Sequence, residues 1–289
     1  MSRPPCPRYQ HDMRIFYVTD LHGCRWKYDR LADFAADCEA DVVINGGDML
    51  PNHGHLYEFQ KEFIQSYLPR HFERFSGAGI PYLCCLGNDD LGAYDSLFDE
   101  TCRRYPGIHN IAQTRVSLGG QEFVGFNLTV DYPFRLKDRC RIDTKDYLFQ
   151  KQLGTALFSR PHGFEECGDW VTRARSLPTL AEELRNLAKP RHPPGSIYVM
   201  HMPPVGLGLD VCGSGFNAGS RAVRDFLMRM QPLLSLHGHI HESPTVSGVW
   251  KARLGSTLCV QPGQERDLVA VVVDVSTMRI ERVRFGPAA

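Results

Sequence analysis

Five short apolar runs in this chain each stop abruptly on small polar residues, and that repetition constrains the fold more than any other feature. Residues 15–18 lead into Thr19-Asp20-Leu21-His22, and residues 42–44 into Asn45-Gly46-Gly47-Asp48. Residues 82–86 lead into Gly87-Asn88-Asp89-Asp90, residues 197–200 into His201, and residues 233–236 into His237-Gly238-His239-Ile240-His241. Runs this short, with β-branched residues in them, predict buried strands. Between them lie segments of helical period. Leu31, Phe34, Ala35 and Cys38 are spaced i, i+3, i+4, i+7, and Val223, Phe226, Leu227 and Met230 repeat the spacing before Pro232 stops it. Thr179 and Glu182 form a capping-box pattern ahead of Leu180, Leu184 and Leu187, and Phe63, Ile64, Tyr67 and Leu68 mark a further amphipathic helix. Alternating strands and helices define the α/β class. In such sheets, polar residues just past the carboxyl ends of the strands converge on one crevice.

The C-terminal part reads differently. Residues 115–118, 122–127, 257–260, 268–275 and 279–285 look like strands without helices between neighbours. They predict antiparallel hairpins, with Gly119-Gly120 as a two-residue turn. A mixed sheet, or two packed sheets, with helices outside accounts for both halves. The chain reads as a single domain over residues 1–289. Residues 129–178 stand apart as a loop-rich insertion with little periodicity, carrying Pro133, Gly154, Pro161, Gly163 and Gly168.

Composition narrows the function classes. Thirty-three Lys and Arg against 33 Asp and Glu give a formal net charge of zero, without the basic excess of a general nucleic-acid binder. The hydrophobic share of 43% rules out a disordered chain. The ten cysteines include no C-x-x-C pair and are scattered, which reads as free thiols in a reducing compartment. Residues 1–12 show no signal-peptide core, and no run approaches the roughly 20 apolar residues of a membrane span. A cytoplasmic protein with no membrane association is the expectation, and oligomeric state cannot be read.

The strand ends supply Asp20, His22, Asp48, Asn88, His201, His239 and His241. Carboxylate, imidazole and amide oxygen suit borderline or hard divalent cations. These ligands are too many for one tetrahedral zinc and suit two metals sharing a carboxylate, roughly 3.5–4 Å apart. In Asp20-x-His22 and His239-x-His241 the side chains stand at i and i+2, which on extended backbone point the same way. A single such element is weak evidence, since a lone His at a strand end is more often a hydrogen-bonded structural residue. The force lies in five elements brought to one sheet edge. His237 reads as structural. Residues 131–151 mix Arg135, Lys137, Arg139, Arg141, Lys145 and Lys151 with Tyr132, Phe134, Tyr147 and Phe149. Interrupted by Asp131, Asp138, Asp143 and Asp146, that segment reads as a solvated insertion shaping the cleft, not as a nucleic-acid surface. The glycine-rich Gly206-x-Gly208 and Gly213-x-Gly215 read as a mobile loop near the metals.

In this order, Asp20-x-His22, Gly47-Asp48, Gly87-Asn88, His201 and Gly238-His239-x-His241 resemble the blocks of the calcineurin-like metallophosphoesterases. His201-Met-Pro-Pro, Gly219-Ser220 and residues 232–243 are similar to the Icc-related branch of predicted phosphoesterases. The resemblance implies a four-layer αββα sandwich of two mixed sheets. It implies that Asp20, His22 and His241 hold one metal, that Asn88, His201 and His239 hold the other, and that Asp48 bridges them. Manganese is the best metal guess, with iron, zinc, nickel or magnesium open. The implied chemistry is in-line attack on phosphorus by a metal-bridging hydroxide, with Asp48 and Asn88 in the catalytic centre. The family usually places a histidine directly after the asparagine, for the leaving group, and here Asp89 stands there. Nearby cations should lower an aspartate further from its ordinary pKa of about 3.9, making Asp89 a poor acid. His53, His55 and His162 are alternative proton donors. Protein Ser/Thr phosphatases share the metal blocks and carry an arginine soon after the bridging aspartate. Here the next four residues are Met49-Leu50-Pro51-Asn52. A phosphodiesterase acting on a small phosphate ester, in one version a nucleotide, is the leading expectation. The alternatives are a phosphomonoesterase or nucleotidase, and a weakly active or non-catalytic metal-binding scaffold.

Overall fold

A computed structural model describes residues 13–287. The segment 1–12, with Cys6, lies outside the described residues. The first half alternates as expected: β1 (Arg14–Val18), α1 (Arg25–Asp37), β2 (Val42–Asn45), then α2 (Leu56–Glu62), which passes through a π turn at Phe63–Tyr67 into α3 (Leu68–Ala78). Next come β3 (Tyr82–Cys84), α4 (Asp95–Arg103) and β4 (Ile108–Asn110). β5 (Arg115–Leu118) and β6 (Gln121–Phe126) make the hairpin read from Gly119-Gly120, with Leu118 opposite Gln121 and both glycines at positive φ. That is the backbone a two-residue hairpin turn needs.

Residues 129–178 carry more structure than their sequence suggests. β7 (Thr129–Val130) pairs with β8 (Cys140–Arg141), β9 (Ala156–Arg160) forms a hairpin with β10 (Gly163–Cys167), and α5 (Trp170–Ser176) closes the segment. Tyr132, Cys140, Ile142, Ala156, Phe158, Trp170 and Ala174 form a small core of their own. The remainder runs α6 (Leu180–Asn186), β11 (Ile197–Met200), α7 (Arg221–Met230), β12 (Leu234–Leu236), α8 (Ser243–Ser247), β13 (Lys251–Leu254), β14 (Thr257–Val260), β15 (Leu268–Asp274) and β16 (Arg279–Phe285). The capping box of Thr179 and Glu182 forms in full at the start of α6.

The strands build two six-stranded mixed sheets, ordered β16-β15-β1-β2-β3-β4 and β13-β14-β12-β11-β6-β5. Alternation along each strand decides what covers each face. Ile15 and Tyr17 on β1 point between the sheets, meeting Ile197 and Val199 of β11 and Leu234 and Leu236 of β12. Phe16 and Val18 point the other way, into a core shared with Leu31 of α1 and Phe72 and Phe75 of α3. On the second sheet, Tyr198 and Met200 pack outward against Leu184 of α6 and Val223 and Leu227 of α7. The layers are therefore helix, sheet, sheet, helix. β1, β2 and β3 run parallel in one sheet, and β11 and β12 run parallel in the other, so their carboxyl ends deliver the polar blocks to one edge.

Candidate metal centre

The loops leaving the strands dock on one another before any side chain is considered. Beyond β1 and β2, the N–H groups of Asp20, His22 and Gly23 donate to the carbonyls of Gly47, Asp48 and Met49, each at 2.9 Å. In the second sheet Gly238 N–H donates to the His201 carbonyl at 2.9 Å. These contacts do not leave the blocks extended. Asp20, His22, Asp48 and His239 all have φ between 45° and 68°, in the left-handed region. The side chains are brought together by tight turns and not by a pleated i, i+2 alternation, which corrects the sequence reading. Non-glycine residues in that conformation carry strain that surrounding structure must hold, and such positions cluster at functional sites. Close packing also fixes two glycines. A Cβ at Gly87 would strike the backbone and carboxylate of Asp48, and one at Gly238 would strike Thr19 and lie 2.8 Å from Asp20 Oδ2.

Two groups of donor atoms result. Asp20, His22 and Asp48 offer ligand atoms within 4.8 Å of one another, and so do Asp48, His201 and His239. Asp48 belongs to both. The Asn88 amide oxygen joins the second group, 3.0 Å from His201 Nε2 and 2.5 Å from His239 Nδ1. His241 stands farther out, its ring centroid 5.7 Å from that of His22, and its side chain is 45% exposed. It lines the cavity above the cluster but lies outside both close groups.

The remaining hydrogen bonds orient these donors. Asp48 Oδ1 accepts from Asp89 N–H at 2.8 Å, and Asp20 Oδ1 accepts from His239 N–H at 3.0 Å. One oxygen of each carboxylate is thus held by backbone, and the other faces the site. His201 lies 2.9 Å from the Gly46 carbonyl through Nδ1. A carbonyl only accepts, so Nδ1 carries the proton there and Nε2 is directed at Asn88 and Asp48. Among the described residues, Asp20 Oδ2 and both ring nitrogens of His22 are buried with no hydrogen-bond partner. Buried polar atoms are normally satisfied, and a cluster of orphans of this chemistry fits a divalent cation. His237 is the structural residue expected: Nδ1–H is shared between the carbonyls of Met200 and Met202, and burial lowers its pKa to about 4.

The protein's own charges are poised for displacement of protons by metal. Burial disfavours charge on His201, but the adjacent Asp48 carboxylate overrides it and raises the ring to about 9. Burial likewise works to raise Asp48, and His201 with His22 overrides it, holding the carboxyl well below the usual range. Burial, aided by His201, lowers His239 to about 3, leaving a neutral ring. A cation takes the place of the proton on such a cluster. At Asp89 the chain's own groups act against the shift expected from cations. Burial and the Asp48 charge push it up to about 6, an effect of the protein opposite in direction to that of cations. Its oxygens accept from Asn88 Nδ2 at 2.9 Å and Asn52 Nδ2 at 3.3 Å. Asp90, fully buried, accepts from the N–H groups of Gly87, Met49 and Leu50, so it ties the loop bearing Asp48 to the loop bearing Asn88.

Above the cluster opens a cavity of about 530 Å³, whose lining includes His22, Asp48, Asn88, Asp89, His239 and His241. Its walls come from residues 130–134 and Gln150 in the insertion, and from Cys212, Ser214, Phe216 and Ala218 in the glycine-rich segment before α7. The sequence pointed to both segments as neighbours of the site, but only the structure separates Tyr132, Phe134 and Phe216 from the other aromatics nearby. His53, His55 and His162 are exposed and are not among the lining residues. No helix among the described residues is long and apolar enough to cross a membrane.

A family model described as calcineurin-like phosphoesterase matches residues 13–243. Among solved structures, the fold is similar to that of a Thermus thermophilus protein, with 16% identity and a TM-score of 0.57 over 94% of this chain and 98% of that one. It is also similar to a dimetal phosphatase from Danio rerio, with 9% identity and a TM-score of 0.52 over 96% and 97% of the two chains. No curated protein matches the chain.

Proposed function

The chain belongs to the calcineurin-like phosphoesterases, and on that premise we propose that it is a binuclear metal-dependent phosphodiesterase. The observation that carries this is the sharing of Asp48 between two groups of donors, the first of which holds buried polar atoms without partners. Asp20, His22 and His241 would hold one cation, Asn88, His201 and His239 the other, with Asp48 between them. When bound, two divalent cations lower the pKa of water in the site and offset charge on the phosphoryl oxygens. We take manganese as the first choice from a donor set of carboxylate, imidazole and amide.

The chain's own residues set the rest. The Gly46 carbonyl fixes the tautomer of His201. Asp89 N–H fixes the orientation of Asp48, and Asp90 fixes the spacing between the Asp48 and Asn88 loops. The Asp89 carboxyl occupies the position where a leaving group would take its proton. As an aspartate it supports a slower or differently assisted hydrolysis than a histidine would. Preference for diesters over monoesters rests on the four residues after Asp48. Met49-Leu50-Pro51-Asn52 holds no Lys or Arg, so that stretch supplies no cation to clamp a dianion. We read residues 1–289 as one domain in which 129–178 is an insertion walling the site. The described cysteines are free thiols, which supports a cytoplasmic location.

The test is turnover of bis(p-nitrophenyl) phosphate by purified protein loaded with manganese. Asp48→Asn should lower kcat/KM at least roughly 100-fold, because one shared ligand serves both cations. Activity that survives Asp48→Asn, or none on mono- or diesters with any of several metals, refutes the reading.

A further inference from the structure

A line of rings leads out of the metal centre. Tyr132 lies 5.8 Å from His239, centroid to centroid, and Phe134 lies 6.0 Å from Tyr132. Tyr132 is buried, whereas Phe134 is 64% exposed and Phe216, lining the same cavity, is 55% exposed. A large ring left in water is unremarkable alone, but two beside one reacting centre form an apolar surface that a ligand can cover. The wall carrying the first of them is held firmly. Asp131 Oδ1 accepts from Lys137 Nζ at 2.7 Å and from Trp170 Nε1 at 2.8 Å, and Lys137 also donates to the Tyr132 carbonyl.

Four cations of this insertion are engaged by other groups, and none of the four lines the cavity. Lys137 is spent on Asp131, Arg139 on Asp95 and the Gly87 carbonyl, Arg141 on Glu183, and Arg135 on Glu166. Among the described residues lining the cavity none is Lys or Arg, while Glu242 adds a carboxylate at the rim. A second phosphate on the ligand would meet like charge with no guanidinium or ammonium to offset it.

Resting on the phosphoesterase reading, we propose that the cavity selects phosphodiesters whose non-leaving arm is a flat aromatic group and which bear no second phosphate, with Phe134 and Phe216 as the residues that determine this preference. Because the leaving group is held constant, phenyl p-nitrophenyl phosphate against methyl p-nitrophenyl phosphate isolates that arm. With the manganese-loaded full chain, and after normalising to hydroxide-catalysed rates, kcat/KM should favour phenyl by roughly 5- to 150-fold, the range of one aromatic stacking contact. The double variant Phe134→Ala/Phe216→Ala should bring that ratio toward one. The p-nitrophenyl ester of thymidine 5′-phosphate should turn over several-fold faster than its 3′-phosphorylated form. A ratio near one in the unaltered protein, a ratio that the double variant leaves intact, or faster turnover of the 3′-phosphorylated ester overturns the proposal. If neither ester turns over, calorimetry with phenylphosphonate and methylphosphonate separates the two readings. Tighter binding of phenylphosphonate that depends on Phe134 and Phe216 keeps the aromatic subsite and refutes the esterase. Equal binding, or none, refutes the subsite itself.

Discussion

On the floor of the cavity, Asp20 and His22 leave buried polar atoms without partners, and four residues sit in left-handed turns. On the wall, Asp131 has both oxygens engaged, by Lys137, Trp170 and Gln152, and the Tyr147 hydroxyl donates to its carbonyl. The two regions are a few residues apart in space and are ordered by opposite means. The floor converges charge and strain and leaves polar atoms that a bound cation would satisfy. The wall is complete within the chain and needs nothing added. Floor side chains are drawn from both sheets, Asp48 and Asn88 from one and His201 and His239 from the other, so a cation bound there also joins the two halves of the fold.

The largest effect expected on the wall comes from removing its buried cation. Lys137→Met leaves Asp131 as a buried carboxylate short of its counter-charge, and should cost about 3–5 kcal/mol in urea unfolding. Pairing it with Asp131→Leu removes that charge, and the double variant should be less destabilised than the single one. Equal losses would show that the pair is not what orders the wall. The next effect belongs to the floor alone. Manganese at 100 times its dissociation constant should raise global stability by about 2.7 kcal/mol. It should slow amide exchange more at residues 20–23 and 238–241 than at 131–133. Protection spreading equally to the wall would break the contrast. The smallest effect is Asp90→Asn. Its amide nitrogen would face either the N–H groups of Gly87 and Met49 together or that of Leu50, where a carboxylate oxygen now accepts, at a cost of about 1–3 kcal/mol.

The same contrast decides what is legible in the sequence. Strand ends show because a buried apolar run that stops on Asp, Asn or His is a local signal, and each of the five blocks sits where its run predicts. The Gly119-Gly120 turn and the capping box of Thr179 and Glu182 show for the same reason, being written in adjacent residues. Left-handed turns at Asp20, His22 and His239 do not, since Asp and His tolerate positive φ but adopt it only in a minority of positions, and here the strain is held by loops from neighbouring strands. The wall is hidden more deeply. Its six cations and four anions look alike in sequence, and only the long-range contact of Asp131 with Trp170 shows which pair is buried. β13 and α8 leave no mark because Lys251-Ala-Arg-Leu254 and Ser243-Pro-Thr-Val-Ser247 hold no apolar run of the kind that reveals equally short strands such as β11.

The proposed chemistry depends on two cations sharing Asp48. Elemental analysis of manganese-loaded protein, with anomalous scattering to place the ions, tests it most directly. Two manganese ions per chain in contact with Asp48 are expected, and fewer than two in Asp48→Asn. A single ion, no ion, or two ions neither of which touches Asp48 would contradict that sharing.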